Sequence, residues 1–96
     1  MWDADHKYLT ISITKEDIME TYQHTREIMY QRIRMLRKRE HYTQTQMALK
    51  LNISRRTYAN YERGVHAMPA EVLAVIADMF GTSMDYLSGR TDKELM

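Results

Sequence analysis

"TQTQMALKLNISRRTYANYERG", residues 43–64, carries most of the folding information in this chain. Thr43 is followed three residues later by Gln46, a capping box in which each side chain satisfies a free backbone N–H of the other residue. The helix opened there presents Met47, Ala48 and Leu51 on one face. It should stop at Asn52, a residue that tolerates the left-handed conformation. Ser54 then caps a second helix, with Ile53 and Tyr58 at the two positions of a hydrophobic staple. Gly64 closes that helix.

Two short helices joined by three or four turn residues are a helix-turn-helix candidate. Met47, Leu51, Ile53, Tyr58 and Tyr61 lock the pair together and against a core, and Ala48 is small where the second helix must cross closely. On a helical wheel Arg56, Ala59, Asn60 and Arg63 lie opposite the two tyrosines. Arg55 and Thr57 flank that face at its N-terminal end. Arg can bind guanine O6 and N7 bidentately and Asn can bind adenine N6 and N7, so this outward face suits base edges in a major groove. Gln44, at the start of the preceding helix, is placed to meet a phosphate, where free N–H groups and the helix dipole help.

The match extends well beyond the motif. "RIRMLRKREHYTQTQMALKLNISRRTYANYERG", from Arg32, resembles the first three helices of the phage repressor and Cro type of DNA-binding domain, the XRE-like regulators. "MPAEVLAVIADMFGTSMDYLSGRTD", ending at Asp92, is similar to the helix 4 and 5 region of its Firmicute-type members. The resemblance covers about two-thirds of the chain. It implies an all-α fold: a five-helix lambda-repressor-like DNA-binding domain, preceded here by an N-terminal extension (a short strand or arm plus helix). It implies that Arg37 and Glu62 form a structural ion pair clamping the first helix to the third. It further implies that Gln44 and Ser54 meet phosphates while Arg55, Arg56 and Asn60 meet bases. Thr57 and Arg63 complete the expected DNA-binding set. Two positions depart from the family habit, since His41 and Asn52 stand where glycine is usual. Both residue types are enriched among non-glycine residues with positive φ, so the fold should tolerate them.

Outside the resemblance the reading is coarser. "KYLTISI" alternates Leu9, Ile11 and Ile13 with Thr10 and Ser12, which is strand periodicity. A lone strand needs a partner, so this one should pair with its copy or lie as an extended arm. Thr14 is a good N-cap with Glu16 and Asp17 in a first turn, and Ile18, Tyr22, Met29, Ile33 and Leu36 follow a helical period. Residues 14–40 read equally as one helix or as two with a break near Gln23–Thr25. Pro69 should take the first position of a fourth helix carrying Val72, Leu73, Ile76, Met79 and Phe80 and ending at Gly81. Ser83 caps a last short helix, which Gly89 ends. These elements divide the chain into an extension over 1–28 (a possible dimerisation arm), a helix-turn-helix domain over 29–92, and a tail over 93–96.

Charge is sorted along the chain although the net charge is only +1. Residues 1–25 hold two Lys against five Asp and Glu, residues 26–63 hold ten Lys and Arg against three Glu, and residues 64–96 return to two against five. A basic middle between acidic flanks points to a local anion-binding face. The absence of cysteine removes disulfides and thiolate chemistry and suits a cytoplasmic location. No apolar run approaches a membrane span, and the N-terminus does not read as a secretion signal. His6, His24, His41 and His66 are scattered, so no zinc site or other cofactor is expected. There is no glycine-rich phosphate loop and no Ser-His-Asp set, so no enzyme is expected. The expected function is a homodimeric transcriptional regulator, a repressor, reading an inverted repeat on double-stranded DNA. The alternative is an antitoxin-like or anti-regulator module that grips a protein partner with its N-terminal arm.

Overall fold

The computed structural model describes residues 13–94. The strand expected over Lys7–Ile13 lies outside the described residues except for Ile13. Five helices follow in order: α1 Lys15–Arg39, α2 Gln44–Leu51, α3 Arg55–Glu62, α4 Ala70–Met79 and α5 Met84–Leu87. The fold is all-α, with no strand among the described residues.

Local chemistry fixes most helix starts. Thr14 and Thr43 both form complete capping boxes, with Asp17 and Gln46 as the reciprocal partners. Ser54 and Ser83 each accept a hydrogen bond from the backbone N–H three residues on. Pro69 stands one residue earlier than the sequence suggests: it is the N-cap of α4, with ψ 148, and Ala70 is the first helical residue. Its fixed φ of −61° fits either position, and the extended ψ decides. Thr43→Ala should cost about 1 kcal/mol of stability by breaking both halves of its box, measurable as a lower urea midpoint with an unchanged slope.

The helix ends share one closure. After α1, the His41 N–H bonds to the Lys38 carbonyl and the Tyr42 N–H to the Arg37 carbonyl, each at 3.0 Å. The same pair of bonds recurs around Asn52, Gly64, Gly81 and Gly89. Each closure needs one residue in the left-handed region. His41 supplies it at φ 62 and Asn52 at φ 56, so both non-glycine departures are accommodated as expected.

α1 is a single helix of 25 residues, with no break near Gln23–Thr25. At 1.5 Å per residue it spans about 37 Å. Its two halves differ in surroundings. Residues 15–24 are all exposed, whereas Ile33 and Leu36 are buried in the core. The apolar period through Ile18 and Tyr22 therefore does not serve this core.

The core is built where the five helices converge. Ile33, Leu36, Met47, Tyr58, Ile76 and Leu87 are all 1% exposed or less. Burying an aliphatic or aromatic side chain of this size stabilises the fold by roughly 1.5–3 kcal/mol each. The C-terminal segment is tied back onto α1. Arg32 donates to the carbonyls of Tyr86 and Thr91 and pairs with Asp92 at 3.0 Å, its guanidinium 4.2 Å from the Tyr86 ring centroid. Arg39 pairs with Glu94 at 2.6 Å, and the Thr82 hydroxyl donates to the Glu94 carbonyl. Among the described residues no helix is long and apolar enough to cross a membrane.

Candidate nucleic-acid interface

The left-handed residue Asn52 reverses the chain after α2, and Ser54 restarts it as α3. Ala48, 3% exposed, lies on the side of α2 that faces the core. A larger side chain there would push the two helices apart. α3 then has two unlike sides. Tyr58, Tyr61 and Glu62 are buried. Ser54, Arg55, Arg56 and Arg63 are exposed, and Thr57 and Asn60 are half-buried beside them.

The buried side is held by a carboxylate. Glu62, 3% exposed, accepts from Arg37 twice, Nε to Oε2 at 2.6 Å and Nη2 to Oε1 at 3.0 Å. The Tyr58 hydroxyl donates to Oε2 at 2.5 Å and Gln44 Nε2 donates to Oε1 at 3.3 Å. Arg37 also donates to the Tyr42 carbonyl, and Arg34 donates to the Glu62 carbonyl at 3.0 Å. One side chain thus joins α1, α2 and α3. Burial alone would push the Glu62 carboxyl up. The hydrogen bonds from Arg37, Tyr58 and Gln44, together with the Arg37 charge, outweigh burial and hold it below its ordinary value. The hydrogen bond to Glu62 raises Arg37, while burial and then that same carboxylate raise the Tyr58 hydroxyl.

The exposed side is also ordered. Ser54 Oγ accepts from the Thr57 N–H at 3.0 Å and donates to Thr57 Oγ1 at 2.8 Å. That leaves the Thr57 hydroxyl proton for an outside acceptor. Arg63 Nη2 donates to Asn60 Oδ1 at 3.0 Å. The Asn60 amide keeps both N–H donors and a second lone pair on Oδ1, enough for a bidentate contact. Arg55 and Arg56 extend from the first turn of α3 into solvent.

The residues singled out in the sequence therefore fall into two groups. Ser54, Arg55, Arg56, Thr57, Asn60 and Arg63 lie together on or beside the outer side of α3. Arg37 and Glu62 lie beneath it. Gln44 is divided between them, because its side-chain amide turns inward to Glu62 while its backbone N–H opens α2. Sequence reasoning missed Tyr58 and Arg34 as members of the anchor. Tyr58 and Glu62 stand four apart on one helix, a spacing that puts them on one face, and that signal was available.

The helix-turn-helix family model matches residues 33–87, more than half of the chain. The chain belongs to the XRE-type helix-turn-helix family. Three curated relatives of this helix-turn-helix chain come from Bacillus subtilis (strain 168). The HTH-type transcriptional regulator AnsR is 41% identical over 59 residues, 62% of this chain and 51% of AnsR. The uncharacterized HTH-type transcriptional regulator YobD is 37% identical over 62 residues, 65% of this chain and 55% of YobD. The HTH-type transcriptional regulator ImmR is 33% identical over 61 residues, 64% of this chain and 48% of ImmR. The aligned part of each relative is only about half of its length. No solved structure matches the chain.

Proposed function

We propose that this helix-turn-helix chain is a sequence-specific double-stranded DNA-binding regulator of transcription, acting as a repressor on an inverted-repeat operator. The observation that carries the reading is the two-sided character of α3. Its tyrosines and Glu62 are buried, and Arg55, Arg56, Asn60 and the C-cap Arg63 are left on the outer side. The relatives, named as transcriptional regulators, support the same class. Arg55, Arg56 and Asn60 contact base edges, and Ser54, Thr57, Arg63 and the α2 N-terminus at Gln44 contact phosphates. Residues 29–92 form the reading domain, residues 1–28 an extension that joins two copies, and residues 93–96 a tail. The protein works in the cytoplasm, where the absence of cysteine is at home.

One such domain reads a half-site, so two copies bind with recognition helices about 34 Å apart. Affinity falls steeply with salt, since the arginines and lysines release counterions from phosphates. Selecting bound sequences from random duplexes tests the reading and returns the site. On that site Arg55→Ala should weaken binding by about 1–3 kcal/mol and relax preference at one base position. Equal loss on selected and random duplexes would remove Arg55 from base reading.

A further inference from the structure

Asn60 and Arg63 are held as a pair at the end of α3. The Asn60 carbonyl accepts the Val65 N–H at 2.9 Å as the chain leaves the helix. Arg63 is the C-cap, its own N–H bonded to the Ala59 carbonyl at 3.0 Å. Residues three apart on a helix are neighbours, and here Arg63 Nη2 donates to Asn60 Oδ1 at 3.0 Å. That bond settles which way the amide points. A guanidinium has donors only, so the amide oxygen, not the nitrogen, must face it.

The consequence falls on the base. A free asparagine suits adenine because it uses both ends of its amide, donating to N7 and accepting from the N6 amino group. Here Oδ1 already carries a cation. A second lone pair remains, but an adenine amino hydrogen approaching it would come in against the positive guanidinium, and like charges set together reject the wrong partner. Guanine meets no such obstacle. Its N7 and O6 both accept, so they suit the free Asn60 N–H donors, and the guanidinium attracts O6. Thymine offers only the O4 acceptor, and cytosine offers a donor. The outer side of α3 has no carboxylate to offset Arg63, since Glu62 is buried. We propose that Arg63 is a positioning residue for Asn60: by occupying the amide oxygen it turns Asn60 from an adenine reader into one that favours guanine. This inference rests on the DNA-reading proposal and narrows it. The remaining donors of Arg63 stay available for a phosphate.

The test selects bound sequences from random duplexes with the full chain as wild type, Asn60→Ala and Arg63→Met. The position whose preference flattens in Asn60→Ala is the one Asn60 reads. Wild type should favour guanine over adenine there by about tenfold. Replacing that guanine with 7-deazaguanine, which lacks the N7 acceptor, should weaken wild-type binding. Arg63 is exposed, so Arg63→Met should fold as wild type does and bring adenine at least level with guanine. An Arg63 that only met phosphate would weaken all sequences alike and leave the profile unchanged. An Asn60→Ala profile identical to that of wild type, another base leading at that position, indifference to 7-deazaguanine, or an Arg63→Met profile still led by guanine overturns the inference and leaves the DNA-reading proposal standing. A wild type with no preferred base at any position sinks the DNA-reading proposal itself.

Discussion

Glu62→Ala should cost about 3–5 kcal/mol of folding free energy, the range expected when one partner of a buried pair is removed. The substitution strands more than a charge. Arg37, whose side chain is only 11% exposed, loses both of its bonds to the carboxylate, and the buried Tyr58 hydroxyl loses its acceptor. A domain of this size has only 5–15 kcal/mol to lose, so the variant should unfold at a much lower urea concentration. Glu62→Gln keeps the shape and one acceptor and should fall between the two. The same carboxylate makes stability depend on pH. Its folded pKa lies below the ordinary value of 4.5, so its contribution is fully present above that value. The contribution is lost as pH falls through the folded pKa, and acid unfolding should be shallower in Glu62→Gln than in wild type. Urea curves for Glu62→Ala that overlay those of wild type would show that the anchor holds nothing.

Gly64→Ala should be about as damaging, by about 2–6 kcal/mol. Two costs add. Gly64 has φ 76, where a side chain is strained by about 1–3 kcal/mol. An added Cβ would also lie 2.4 Å from Tyr30 Cε2, and displacing a packed ring costs about as much again. Gly81 separates the two contributions, because its φ is 64 but no atom beyond its chain neighbours lies within 4 Å of its ideal Cβ. Gly81→Ala should therefore carry the backbone cost alone. Equal thermal shifts for the two variants would mean that the ring yields freely. Because Gly64 ends α3, its loss should also tilt Arg63 and Asn60 and weaken any complex they make.

The contrast between these glycines explains what was legible beforehand. Helix boundaries were written locally: Thr43 with Gln46, Ser54 with Thr57, and Asn52 in the left-handed region all act within a few residues. Arg37 and Glu62 could be paired only through the family resemblance, because 25 residues separate them. The Arg32 links to Tyr86, Thr91 and Asp92, and the Arg39 link to Glu94, leave no periodic trace and were not foreseen. Whether α1 was one helix or two was equally hidden. A solvent-exposed stretch such as residues 15–24 has no buried partner whose spacing would reveal its continuity. The outward set on α3 was readable because its inward neighbours are aromatic, and a helix with one committed side declares the other.

α1 runs from Lys15 to Arg39 with neither glycine nor proline in it. It has no hinge and behaves as a stiff spoke. Two reading heads mounted on a pair of such spokes could not adjust their separation to suit a target. Inserting a single base pair between half-sites moves one of them by about 3.4 Å and turns it about the duplex axis. A supple linker would absorb that change. For two copies reading two half-sites as proposed above, the strain would pass into the nucleic acid, and binding should be intolerant of spacer length.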